Sequence, residues 1–189
     1  MTASDLVVAA AIAEREHRLI QAGSGYAAAM STLPDKLGAL AAAFRALAAA
    51  AVPHALIGGL AVGVRSGVPR ATLDVDIAVD SSVVRSKVAE VLVAAGFTLV
   101  GEFAHSLNFK HESGEPVQLA FDPGFDAMIE RAEPISFGDL SIPVVTKEDL
   151  IEMKRRSAAD PTRRRSKALR DQADIALLEG DVADPDEGW

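Results

Sequence analysis

Residues 55–80 read "ALIGGLAVGVRSGVPRATLDVDIAVD". An apolar run ends in Gly58 and Gly59, a loop carries Arg70 and Thr72, and a second apolar run holds Asp74 and Asp76. Side chains alternate along a strand with period two, so both carboxylates face one way. Like charges so placed repel. A solvated strand face relieves that repulsion cheaply; a bound cation relieves it by pairing with both.

The rest of the chain limits the choices. At 189 residues and 49% hydrophobic composition, it can bury a core as one domain with a helical annex. It has no cysteine, which excludes disulfides and thiolate metal sites and fits a reducing cytoplasm. A net charge of −8 argues against a general basic coat for nucleic acid. No apolar run reaches the ~18 uncharged residues that a membrane span needs. The opening "MTASDLVVAAAIAEREHRL" lacks a basic start and does not read as a signal peptide.

Outward from the opening stretch, strand and helix patterns interleave. Residues 4–22 and 35–51 read as alanine-rich helices, separated by a segment broken by Gly23, Gly25 and Pro34. "HALIGG" predicts a strand that gives way to a helix in "LAVGVRSG", and "LDVDIAVD" predicts the next strand. "SSVVRSKVAEVLVAAG" predicts an amphipathic helix with serine caps and a glycine stop. "FTLVGEF", "HSLNFKH" and "VQLAFD" predict strands, and "PISFGDLSIPVV" a hairpin turning at Gly138–Asp139. Thr146 opens a helix with a capping-box pattern, and the last helix has Pro161 in its first turn. The expected class is α/β (α+β), a small mixed sheet flanked by helices. The division is 1–33 as a helical extension, 34–146 as the core, 147–180 as helices closing a cleft, and 181–189 as an acidic tail.

Chemistry follows from the first stretch. Gly58 and Gly59 let a ligand approach the backbone, and the helix behind them points free N–H groups outward, which suits a phosphate. Asp74 and Asp76 offer hard oxygen ligands to Mg²⁺ or Mn²⁺. Arg70 is a candidate phosphate donor or a partner for a nearby acid. Thr72 is expected to order the loop.

"GGLAVGVRSGVPRATLDVDIAV" resembles the active-site signature of the nucleotidyltransferase superfamily related to DNA polymerase beta, and more closely its AbiEii-like branch, which includes toxins of toxin–antitoxin pairs. "VVTKEDLIEMKRRSA" and "RSKALRDQADIALL" are similar to that branch's C-terminal helices. The resemblance spans about residues 40–178 as an order of elements and is sharp in 57–79. It implies transfer of a nucleoside monophosphate from a nucleoside triphosphate, with Mg²⁺, to a hydroxyl acceptor such as an RNA end (tRNA among them), a protein or a small molecule. It further implies a possible antitoxin partner. Carried over by residue, Gly58 and Gly59 match the phosphate loop, Asp74 and Asp76 the metal pair, Lys154 the lysine near the triphosphate, and Asp171 the aspartate of the last helix.

One position departs. The superfamily usually takes a third carboxylate from a later strand, and here "PVQLAFD" carries Gln118, which cannot act as a general base. Asp122 shares its parity but lies roughly 13 Å further along, and Glu115 has the wrong parity and falls in a turn. A catalytically degenerate nucleotide-binding or partner-binding module is therefore the alternative to an active transferase.

Each feature has a plainer reading. The DxD pair can be an acidic strand face, and the glycines a tight turn. Lys154 lies on a charged helix, and Asp171 and Asp174, three apart, can pair with Arg170 or Lys167. His54 reads as a packed histidine. Residues 147–170 hold nine lysines and arginines against four acids, either a basic lip for triphosphate or RNA or two solvated helix faces.

Overall fold

In a computed structural model the described residues are 35–68, 70–138 and 140–181. The expected helix over residues 4–22 and the acidic tail beyond Asp181 lie outside them. The first described helix, α1 (Lys36–Ala49), begins where Asp35 accepts a hydrogen bond from the Gly38 N–H at 2.8 Å. It feeds β1 (His54–Ile57), which is buried along its whole length. A strand covered on both faces must be apolar throughout, and "HALI" differs only in His54. The His54 ring is packed edge-on against Phe44, and its Nδ1 lies 2.7 Å from the Val52 carbonyl.

Helix α2 (Gly58–Ser66) follows β1 directly, and the chain returns through the Arg70 loop to β2 (Val75–Val79). β2 runs antiparallel to β1, with Ile57 opposite Asp76. After α3 (Arg85–Ala94) come β3 (Phe97–Phe103), β4 (Ser106–His111) and β5 (Pro116–Ala120), an antiparallel meander. β5 then lies parallel to β2. A 3₁₀ turn (Pro123–Phe125) and the short α4 (Asp126–Glu130) lead to the hairpin of β6 (Glu133–Phe137) and β7 (Leu140–Val144). β7 pairs parallel with β1, completing a mixed sheet in the order β3-β4-β5-β2-β1-β7-β6. Helices α5 (Lys147–Ala159) and α6 (Arg165–Glu179) pack on each other and on α2. Arg65 fastens α2 to the sheet by donating to the carbonyls of Val144 (2.6 Å) and Val145 (2.8 Å).

The class and the element order agree with expectation; three local details do not. Ser81 and Ser82 do not cap α3, whose N-cap is Val84 with no side-chain bond. Carboxylates outbid the helix end for both serines. Ser81 bonds Asp126 through its N–H and hydroxyl, and Ser82 bonds Asp80. Pro161 is not in the first turn of α6, which starts at Arg165; Asp160 accepts from the Thr162 N–H and hydroxyl and makes a turn there instead. Asp122 is not on β5 but caps the 3₁₀ turn through the Gly124 N–H.

Lys36 and Glu115 form a fully buried ion pair at 2.5 Å, and Lys36 also donates to the Leu73 carbonyl. That pair ties the start of α1 to the β4–β5 turn and to the segment entering β2. Breaking one half of such a pair strands the other charge. Lys36→Met is expected to lower unfolding free energy by about 3–5 kcal/mol in urea melts, and Lys36→Met with Glu115→Leu to recover most of that loss.

Candidate functional site

The helix N-terminus at Gly58 is uncapped: Ile57 precedes it and offers no side-chain acceptor. Its first-turn N–H groups are available to an anion. Gly58 has φ +71°, and a Cβ there would stand 2.0 Å from Asp76 Oδ2. Both facts require glycine, one through backbone conformation and one through the carboxylate pressed against it. A Cβ on Gly59 would meet Arg70 Nη1 and Thr72 Oγ1 at 2.9 Å. The two glycines thus let the DxD strand and the Arg70 loop close over the helix start.

Thr72 orders the loop as expected, its hydroxyl lying 3.2 Å from Asp74 Oδ1. Asp74 and Asp76 line one cleft of about 810 Å³ together with Gly59, Arg70, Gln118 and Lys154. Burial first, and the Asp74 carboxylate second, push Asp76 from 3.8 up to about 7, against the pull of Lys154, Arg70 and Lys167. Among the described residues no three His, Asp or Glu side chains form a group that could hold a metal. The cleft-lining side chains that could face a cation here are the Asp74 and Asp76 carboxylates and the Gln118 carboxamide, whose oxygens are hard donors of the kind Mg²⁺ or Mn²⁺ takes.

The opposite wall comes from the C-terminal helices. Lys154 Nζ sits between Asp171 Oδ1 (2.9 Å) and Asp174 Oδ2 (2.8 Å). Arg163 holds the other oxygen of Asp171 at 2.5 Å, and Arg70 reaches across from the loop to Asp174. Both aspartates are buried. Asp171, expected among the catalytic residues, has both oxygens engaged by cations, which gives it the position of an anchor for Lys154. Asp171 and Asp174 share a helix face, as their spacing requires, but their partners are Lys154, Arg163 and Arg70 and not Lys167 or Arg170. Lys167 and Arg170 line the cleft instead. Sequence reasoning did not single out Arg163 or Lys36; the first was hidden in the run "TRRR", and nothing local marks the second as buried.

A GG helix start thus faces the Asp74–Asp76 pair, with a lysine brought in from the C-terminal helices. A family model described as nucleotidyl transferase AbiEii toxin, type IV toxin–antitoxin system, matches residues 39–187. The chain belongs to that family and is a nucleotidyltransferase. No curated protein sequence matches it. Its fold is similar to that of lincosamide antibiotic adenylyltransferase LnuA in the lincomycin-bound crystal structure. There the identity is 21% and the TM-score 0.56, over 77% of this chain and 98% of that one. It is also similar to an antigenic nucleotidyltransferase-like protein from Paracoccidioides brasiliensis, with 22% identity, TM-score 0.52 and coverage of 75% and 74%. The antibiotic-resistance factor ANT(2'')-Ia, in solution, gives 15% identity and TM-score 0.54 over 76% and 83%. No described helix is long and apolar enough to cross a membrane.

Gly67 has φ +73° and open space around it, so it isolates the backbone strain that Gly58 shares. Gly58→Ala and Gly67→Ala are each expected to cost about 1–3 kcal/mol in strain. Only Gly58→Ala displaces Asp76, so only it is expected to abolish triphosphate binding in a titration. For Asp76 the sign is set by a raised value. As pH rises from about 4 to 7 the unfolded chain loses the proton while the folded one keeps it, so metal-free stability falls across that window. Asp76→Asn removes this loss. It is expected to stabilise the metal-free protein by roughly 4 kcal/mol at pH 8 and by nothing at pH 3, read from thermal melts in chelator.

Proposed function

We propose that the protein transfers a nucleoside monophosphate from a nucleoside triphosphate to a hydroxyl acceptor, with Mg²⁺ or Mn²⁺, as the toxin of a toxin–antitoxin pair. The observation that carries the reading is the meeting of the uncapped α2 start with the Asp74–Asp76 pair in one cleft. Asp74 and Asp76 would hold the cation, which when bound draws charge from the phosphate oxygens. Gly58, Gly59 and Arg70 bind phosphate by backbone N–H groups and a guanidinium. Lys154, held by Asp171 and Asp174, offsets the charge that builds on departing pyrophosphate. Removing either aspartate leaves Lys154 with one of its two carboxylate partners and loosens that position. The adenylyl transfer named for LnuA supports a nucleotide donor here. The acceptor class, whether RNA end, protein or small molecule, is read from the label-transfer assay below.

A second reading is nucleotide binding without transfer. Gln118 favours it, because the register places this amide directly beside Asp76, where a carboxylate would assist deprotonation of the acceptor.

Incubation with each α-labelled ribonucleoside triphosphate, Mg²⁺ or Mn²⁺, and bulk tRNA separates the two. Label is expected to move to RNA or protein and to be lost in Asp74→Asn/Asp76→Asn, with the fold intact by circular dichroism. Triphosphate bound tightly by the wild type with no label moved to any acceptor would favour the second reading. Metal-dependent triphosphate binding unchanged in the double variant would sink the metal clamp. Asp171→Asn is expected to lower transfer by about 10–100-fold while leaving metal binding unchanged.

A further inference from the structure

The neighbours of Asp76 in the sheet decide how many carboxylates this cleft can bring to a metal. β5 lies parallel to β2 with Gln118 opposite Asp76. The β5 positions that share this face are Pro116, Gln118 and Ala120, and none is charged. Opposite Gln118 on β4 is Asn108, whose Oδ1 is buried and accepts no hydrogen bond; opposite Asn108 on β3 is Gly101. The row across the sheet therefore holds one carboxylate, two carboxamides and bare backbone.

The other acids that line the cleft, and Glu115, Asp122 and Asp126 around Gln118 in sequence, are already engaged. Glu115 points to Lys36. Asp122 caps the 3₁₀ turn, and Asp126 holds Ser81. Asp171 is shared by Lys154 and Arg163, and Asp174 by Arg70 and Lys154. Beyond the DxD pair, the cleft is lined by Arg70, Lys154, Arg163, Lys167 and Arg170 against Asp171 and Asp174, a surplus of three positive charges. Those side chains lie where they can neutralise a triphosphate, and they repel a second dication that has no anionic ligand of its own.

We infer that the cleft holds a single divalent cation, on Asp74 and Asp76, and that Gln118 limits it to one by placing a neutral amide where a second ion needs a carboxylate. This rests on the reading of Asp74 and Asp76 as the metal clamp. The transfer then proceeds without a protein carboxylate at the acceptor. The acceptor oxygen bonds to the α-phosphorus, the bond from that phosphorus to the α–β bridging oxygen breaks, pyrophosphate leaves, and the hydroxyl proton passes to water.

The test counts ions without relying on turnover. The full chain is loaded with Mn²⁺ and the α,β-methylene analogue of ATP. Bound Mn²⁺ is measured by equilibrium dialysis against the analogue alone, and frozen-solution electron paramagnetic resonance is recorded. The wild type is expected to show one ion with the spectrum of an isolated Mn²⁺. Two ions held about 3.5–4 Å apart would instead be magnetically coupled. Gln118→Asp and Gln118→Glu are expected to bind a second ion at least about tenfold more tightly than the wild type and to show that coupling. A coupled pair in the wild type overturns the inference, and so does a single ion in both variants when their melts match the wild type. If neither variant folds, the wild-type spectrum decides alone. Wild-type Mn²⁺ binding no greater than that of Asp74→Asn/Asp76→Asn overturns the clamp, and the inference with it.

Discussion

Two carboxylates one residue apart, facing the same way beside a helix start, set the terms for everything around them. Burial first, and their mutual repulsion second, push the Asp76 carboxyl well above the usual carboxylate range, to about 7. The surrounding structure answers this with positive charge from three directions: the N–H groups of α2, the Arg70 loop, and the C-terminal helices that carry Lys154, Lys167 and Arg170. The glycines follow from the same constraint, since Asp76 occupies the space a side chain on Gly58 would need.

The cationic wall is itself assembled from buried ion pairs. Asp171 and Asp174 lie one turn apart on α6 and between them fix Lys154, Arg163 and Arg70. These pairs join the loop ahead of the DxD strand to helices about a hundred residues later, as the separation of Arg70 and Asp174 shows. Shared carboxylates of this kind are stabilised only when every partner is present. The wall therefore forms as a unit with the fold, with Lys154 held in place by its two carboxylate partners. The Lys36–Glu115 pair does similar work behind the site, holding the strand that presents the aspartates.

Gln118 is where the local pattern and the family's usual pattern part. The sheet sets it directly beside Asp76, on the strand where the resemblance places the family's third carboxylate. The alternatives raised by the sequence are closed by tertiary contacts, because Glu115 turns to Lys36 and Asp122 caps a turn.

Much of this was legible in the residues. Period-two alternation predicted that Asp74 and Asp76 face one way, and both line the cleft although β2 begins only at Val75; the glycines marked the strand-to-helix junction, and Thr146 marked the start of α5 correctly, accepting from the Asp149 N–H. These readings rest on backbone geometry within a few residues, which composition and spacing determine directly. What only the tertiary structure decided was which charges meet. Lys36 and Glu115 are 79 residues apart and Arg70 and Asp174 are 104 apart. Choosing among many lysines, arginines and acids needs the three-dimensional packing that makes one pairing close and the others distant. The helix cap that failed at Ser81 failed for that reason too: Asp126, from α4, was a stronger partner than the helix end, whereas Ser82 is held locally by Asp80. The sequence by itself determined the glycine-marked strand-to-helix junction and the Asp74–Asp76 pair of a mixed-sheet fold; packing alone decided that Asp171 and Asp174 hold the cations across the cleft, because burial forces each charge to find a partner that no local rule names.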